Sequence, residues 1–107
     1  MKPINSNWFV RARLKNRHIP LLAALGDTGN LNRAAAGLGI SQPAISKLLK
    51  ELEDGLGVEL FERHARGVVP TLYGEAMIRH AKRMLNTLDR AYSEVAALRH
   101  GQQGHVR

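Results

Sequence analysis

The stretch from Ser41 to Leu56, SQPAISKLLKELEDGL, constrains this chain most, because it reads as one helix with two unlike faces. Ile45, Leu48, Leu49, Leu52 and Leu56 recur at i, i+3, i+4, i+7 and i+11, which aligns a single apolar stripe. Gln42, Ser46, Lys47 and Lys50 lie on the other face, while the acids Glu51, Glu53 and Asp54 are held back to the second half. Ser41 suits the N-cap, since its hydroxyl accepts from an orphan N–H, and Pro43 falls in the first turn, where no N–H is needed. Gly57 closes the segment.

The neighbours give this helix a setting. Leu31, Ala34, Ala35 and Leu38 form an i, i+3, i+4, i+7 face on a short helix from Leu31 to Leu38, capped by Asn30 and made closely approachable by its alanines. Gly39 and Ile40 then leave only a tight turn before Ser41, so the two segments read as a helix-turn-helix. Upstream, a first helix is expected from about Asn16 to Leu25, with Ile19, Leu22 and Leu25 as its buried stripe. Pro20 is tolerated there because it falls in the first turn, and Gly26 and Gly29 are expected to break the helix.

A polar and basic helix start matches a DNA major groove, where Gln pairs bidentately with adenine and Lys or Ser reaches base edges or phosphate. The alternative is an amphipathic surface helix with a merely solvated outer face. The formal charge of +7 and a pI of about 10.6 favour a polyanionic partner. Residues 1–57 carry eight Lys/Arg against four acids, residues 58–71 two against two, and residues 72–107 six against three. The excess therefore belongs to folded elements and not to a basic tail.

Val58, Leu60 and Phe61, the charged run Glu62 to Gly67, and Val68-Val69-Pro70 suggest a two-stranded ribbon with a basic loop at its tip, a wing. Arg66, beside Gly67, is the candidate for a narrow minor groove, whose concentrated negative potential attracts Arg. Arg63 is assigned a structural role, pairing with Glu59 or Glu62 on the ribbon. Thr71 is expected to cap a long helix from Leu72 to about His100, stopped by Gly101. On it Met77, Ala81, Met84, Leu88, Ala91, Val95 and Leu98 follow alternating steps of four and three, an a/d heptad. Ile78, Leu85 and Tyr92 widen the strip beyond what one small domain covers, so it is expected to pair two subunits.

In order, AAAGLGISQPAISKLLKELEDGLGVELFERHARGVVPTLYGE resembles the DNA-binding region of LysR-type transcriptional regulators, the likeness running from about Arg17 to Leu98. It rests on the alanine-rich second helix, the SQPAIS start, the run from Leu52 to Arg63, and the Thr71-to-Gly74 junction. The resemblance implies a mainly α fold, a winged helix-turn-helix of three helices and a two-stranded β wing followed by a long coiled-coil linker helix, antiparallel to that of a second subunit. It places Gln42, Pro43, Ser46 and Lys47 at the major groove, Arg66 at the minor groove, and Asn32, Arg33 and Thr71 at the DNA backbone, beside Ser41 and Lys50. Lys47 stands where many relatives have Arg, which loses a planar bidentate fork for guanine. Pro20 is likewise less usual in the family's first helix.

The expected division is a basic N-terminal arm over 1–15, the winged domain over 16–70, the linker and dimerisation helix over 71–100, and a tail over 101–107. Family members continue into an effector-binding domain, so no cofactor is expected here and a small-molecule inducer would bind elsewhere. The expected partners are a double-stranded DNA operator and a second copy of the chain, with a higher oligomer for the full-length protein and no membrane, in the bacterial cytoplasm at the nucleoid. Two alternatives remain at this level: a dimerisation module without DNA affinity of its own, and a non-specific architectural DNA-binding protein. Catalysis is not expected. His18, His64, His80, His100 and His105 form no metal-spaced pair, the chain has no cysteine, and no glycine-rich loop has phosphate-binding spacing.

Overall fold

The computed structural model describes residues 17–104; the expected basic arm over 1–15 lies outside the described residues. The order is α1 (His18–Thr28), α2 (Leu31–Leu38), α3 (Gln42–Leu56), β1 (Phe61–His64), β2 (Gly67–Pro70) and α4 (Leu72–Gly104). The winged helix-turn-helix is thus formed by three helices and an antiparallel two-stranded ribbon, and α4 leads out of it.

Helix α1 sits at the centre, packed against α2, α3 and α4. That position explains why its buried set is wider than a single stripe. Leu21, Leu22 and Leu25 are all enclosed, as is His18, whereas Ile19 is only half-buried. Pro20 falls in the first turn as required, and the Leu21 N–H reaches the Arg17 carbonyl at 3.2 Å. The expected stop at Gly26 does not occur; α1 continues to Thr28 and ends on Gly29, at φ 63°. Gly26 serves packing instead, because a Cβ there would lie 2.6 Å from Ile78 Cγ2 on α4.

The helix-turn-helix follows its local signals closely. Asn30 Oδ1 accepts from the Arg33 N–H at 3.0 Å, and Ser41 Oγ accepts from the Ala44 N–H at 3.2 Å. Gly39 supplies the left-handed turn, and the Ile40 N–H returns to the Ala35 carbonyl at 3.0 Å. Inside, Ala34 and Ala35 meet Ile45, Leu48, Leu49 and Leu52 with almost no exposed surface. Burial of each of these isoleucine and leucine side chains contributes roughly 1.5–3 kcal/mol, and of each alanine methyl about 0.8 kcal/mol.

The wing is more regular than the charged run suggests. Its strands pair from Phe61↔Pro70 to His64↔Gly67, so Glu62, Arg63 and His64 belong to β1 and only Ala65 and Arg66 form the tip. Phe61 and Val68 are buried and the charged side chains are exposed; Glu62 and His64 lie on the solvated side of the ribbon, whereas Arg63 lies on the side of Phe61 and Val68. Its base is held by Glu53, whose Oε2 accepts from the Leu60 N–H at 2.7 Å and the Phe61 N–H at 3.2 Å. Its upper edge is held by the Val68 N–H, which donates to the Gly29 carbonyl at 2.9 Å.

Thr71 joins the wing to α4. Its Oγ1 donates to the Glu59 carbonyl at 2.6 Å and accepts from the Gly74 N–H at 3.2 Å, while its own N–H donates to the Leu60 carbonyl at 2.9 Å. Met77, Ile78 and Ala81 turn onto the core, and Lys82 Nζ meets Asp27 Oδ1 at 2.6 Å. From Asn86 to Gly101 every residue is exposed. The helix passes through Gly101 to Gly104, beyond the expected end at His100, which leaves residues 105–107 outside the described part. Gly101 is not in the left-handed conformation of a C-cap glycine, and a helix of 33 residues carries the ~1 kcal/mol cost of an interior glycine.

Candidate nucleic-acid interface

Four residues expected at the major groove share the open side of α3. Gln42, Pro43 and Lys47 are exposed and Ser46 is half-buried, while Ile45, Leu48 and Leu49 anchor the opposite side in the core. The first turn of α3 therefore stands clear of the domain. Gln42 Nε2 donates to Ser46 Oγ at 3.1 Å, joining the two polar side chains on this face. The pair still offers the Gln42 carbonyl oxygen, one amide hydrogen and the Ser46 hydroxyl hydrogen.

Arg66 occupies the tip of the wing, exposed, beside an open groove that separates the ribbon from the helix-turn-helix. Asn30, Leu31, Asn32, Gln42 and residues 63–68 line that groove, whose volume is about 280 Å³. Asn32 is on it and exposed, and Arg33 is exposed on the same first turn of α2. Ser41 lies at the start of α3, with its hydroxyl oxygen engaged by the cap. The structure thus brings Asn32, Arg33, Ser41, Gln42, Pro43, Ser46, Lys47 and Arg66 to one end of the domain.

Two expected backbone contacts do not join them. Both donors of Thr71 are spent inside the chain, on the Glu59 and Leu60 carbonyls, which leaves it no hydrogen for a phosphate. Lys50 pairs with Asp54 at 3.6 Å and lines a separate groove with Glu53, Asp54 and Glu59. That groove sets three carboxylates beside the one lysine. Arg63 also departs from expectation: Glu62 pairs with His64 at 3.5 Å, and no ion pair among the described residues involves Arg63.

The proposed subunit seam is shortened as well. Ala81 is fully enclosed by the domain's own core and has no surface free for a partner, while Met77 is half-buried against that core. Met84, Leu88, Val95 and Leu98 remain, 42%, 47%, 62% and 63% exposed, with Ala91 between them and Tyr92 alongside. Sequence periodicity also passed over Glu53 and Gly29, which set the angle of the wing. Nothing in the spacing of either residue signals that role, because each acts on a segment distant in the chain.

Among the described residues, no helix is long and apolar enough to cross a membrane, and no group of His, Cys, Asp and Glu is gathered to hold a metal ion.

Comparison with known proteins places this geometry. Residues 16–75 match the family of bacterial regulatory helix-turn-helix proteins called the lysR family. The chain is 55% identical over 101 residues to the HTH-type transcriptional regulator GbpR of Azospirillum brasilense, covering 94% of this chain and 30% of that protein. It is 41% identical over 86 residues to a small neutral protease regulatory protein of Streptomyces coelicolor, covering 77% and 27%. The chain thus spans less than a third of the length of these curated relatives. Among solved structures it is similar to a CbnR DNA-binding domain in complex with DNA, with TM-score 0.71, 34% identity and coverage of 79% of this chain and 98% of that one. A BenM DNA-binding domain on benA site 1 DNA superposes with TM-score 0.75 at 30% identity, covering 82% and 99%.

Proposed function

The chain belongs to the LysR family of bacterial helix-turn-helix regulators, and from that premise we propose that it binds specific double-stranded DNA as a dimer, with α3 in the major groove and the wing in the adjacent minor groove. The observation that carries this reading is the free first turn of α3. Gln42, Pro43, Ser46 and Lys47 stand outside the core on a helix whose other side is fixed within it. A rigid scaffold behind an exposed reading face is what base-edge recognition requires.

Gln42 and Ser46 read base edges, Lys47 adds a charge near guanine or phosphate, and Pro43 packs against the groove floor. Asn32, Arg33 and Ser41 contact the backbone, and Arg66 enters the minor groove. The seam from Met84 to Leu98 pairs two chains, so each dimer meets two half-sites.

The test is fluorescence anisotropy with a duplex selected from a randomised pool and with a scrambled duplex of equal length, across a salt series. Neutralising about six phosphates gives a log–log slope near −5. The selected duplex should bind far more tightly than the scrambled one. Equal affinity for both would leave only a non-specific DNA protein, and no affinity for either would leave a dimerisation module.

A further inference from the structure

The reading above puts a sugar-phosphate strand in the groove between the start of α3 and the wing, and we propose that Arg63, on the wall of that groove, donates to one of its phosphates. The inference rests on the DNA-binding reading above and adds a residue to it. A helix in one groove and a ribbon tip in the next must straddle the strand between them. A cleft lies between Gln42 and Arg66, and both residues line it.

The lining chemistry suits a polyanion. Arg63 and Arg66 supply charge, Asn30, Asn32 and Gln42 supply amides, and no carboxylate among the described residues lines the groove. The cleft behind α3, by contrast, carries Glu53, Asp54 and Glu59. Strand register then singles out Arg63. It lies opposite Val68, which is buried, so alternation directs Arg63 to the side of the ribbon that faces the helices. Its neighbours Glu62 and His64 pair with each other, and no carboxylate among the described residues neutralises Arg63. A guanidinium on the wall of an anion-shaped groove, without an internal counter-ion, awaits an external one.

The experiment compares Arg63→Gln and Arg63→Lys with the unaltered chain on the selected and scrambled duplexes, reading Kd across a salt series, thermal melting, and phosphate-ethylation interference. A phosphate contact predicts that Arg63→Gln lowers the salt slope by about 0.9 per subunit engaged. The affinity loss should be similar on both duplexes, and Arg63→Lys should restore the slope. Ethylation interference should fade at one phosphate per half-site, between the bases read by α3 and the minor-groove flank. An unchanged slope, with or without a lowered melting temperature, would make Arg63 a structural residue and overturn the proposal. If the unaltered chain binds neither duplex, the DNA-binding reading itself fails; if it binds, the slope judges Arg63 alone.

Discussion

Gln42 Nε2 lies 3.1 Å from Ser46 Oγ, one turn further along α3, so two side chains of the reading face are joined before any DNA arrives. The bond uses one amide hydrogen of Gln42 and leaves its carbonyl oxygen and second hydrogen, the two groups that pair with adenine N6 and N7. A glutamine has three side-chain torsions to fix on binding, and a partner on its own helix reduces the entropy lost in doing so. Gln42→Ala should therefore remove about 1–3 kcal/mol of discrimination at one base pair in each half-site. Ser46→Ala should relax the same position less, by freeing the amide. Competition with duplexes altered one base pair at a time reads both effects, and equal losses on selected and scrambled duplexes would remove Gln42 from the specificity assignment.

Arg66 should behave differently, because it sits at the tip of the wing and not on α3. Its attraction to a groove depends on groove width, which A/T-rich sequence narrows. Arg66→Ala should weaken binding mainly to duplexes with A/T-rich flanks and leave discrimination at the Gln42 base pair unaltered. Measuring the variant on duplexes with A/T-rich and G/C-rich flanks around one core separates these outcomes. A loss independent of flank composition would place Arg66 on phosphate alone.

Two glycines in helices make opposite predictions for stability. A Cβ on Gly74 would lie 1.9 Å from the Leu60 carbonyl oxygen, a backbone atom tied to the wing base by the Thr71 N–H. Gly74→Ala must push α4 away from the ribbon, costing about 3 kcal/mol or more, in the range of severe core overpacking. Gly37 on α2 has nothing within 4 Å of its Cβ position and lies on an exposed side. Gly37→Ala should stabilise the domain by roughly 0.5–1 kcal/mol, since alanine loses less backbone entropy in a helix. Urea unfolding of the two variants checks the pair, and similar midpoints would contradict the packing at Leu60.

The contrast between those glycines also marks how far the fold was legible from sequence. Local rules served wherever a signal acts on its own neighbourhood: the Asn30 and Ser41 caps, the Gly39 and Gly57 ends, and the stripe of α3 all act within a turn or two. They failed where a residue answers to something distant. Gly26 looks like a helix breaker until Ile78 is placed against it, and Leu21 looks like the wrong side of a stripe until α1 is surrounded. Glu53 reads as one more acid on a polar face, yet it holds the Leu60 and Phe61 N–H groups. The same limit applied to the candidate site. The exposed turn from Gln42 to Lys47 could be found by periodicity, but the pairing of Glu62 with His64, which leaves Arg63 without a carboxylate, required strand geometry.

Leu88 and Val95 are seven residues apart on the apolar strip, 47% and 62% exposed, and distant from the domain core. Knobs at such positions pack between the side chains of a facing helix, and each aliphatic group removed from water contributes roughly 1.5–3 kcal/mol. Glutamate at both positions would bring four carboxylates per dimer into the apolar seam, where burying them is costly. The Leu88→Glu, Val95→Glu double variant should therefore sediment as a monomer, and the unaltered chain should sediment as a dimer. Thermal melting of the winged domain should change little, because neither residue touches its core. Affinity for a duplex with two half-sites should fall far more than affinity for one with a single half-site, since the second contact loses its high effective concentration. Asn86 and Ser93 share the far side of α4, so the Asn86→Glu, Ser93→Glu variant supplies the control and should remain dimeric. If the Leu88 and Val95 variant kept the unaltered chain's mass, the pairing surface would have to lie elsewhere, and the exposed strip would have no role in this account.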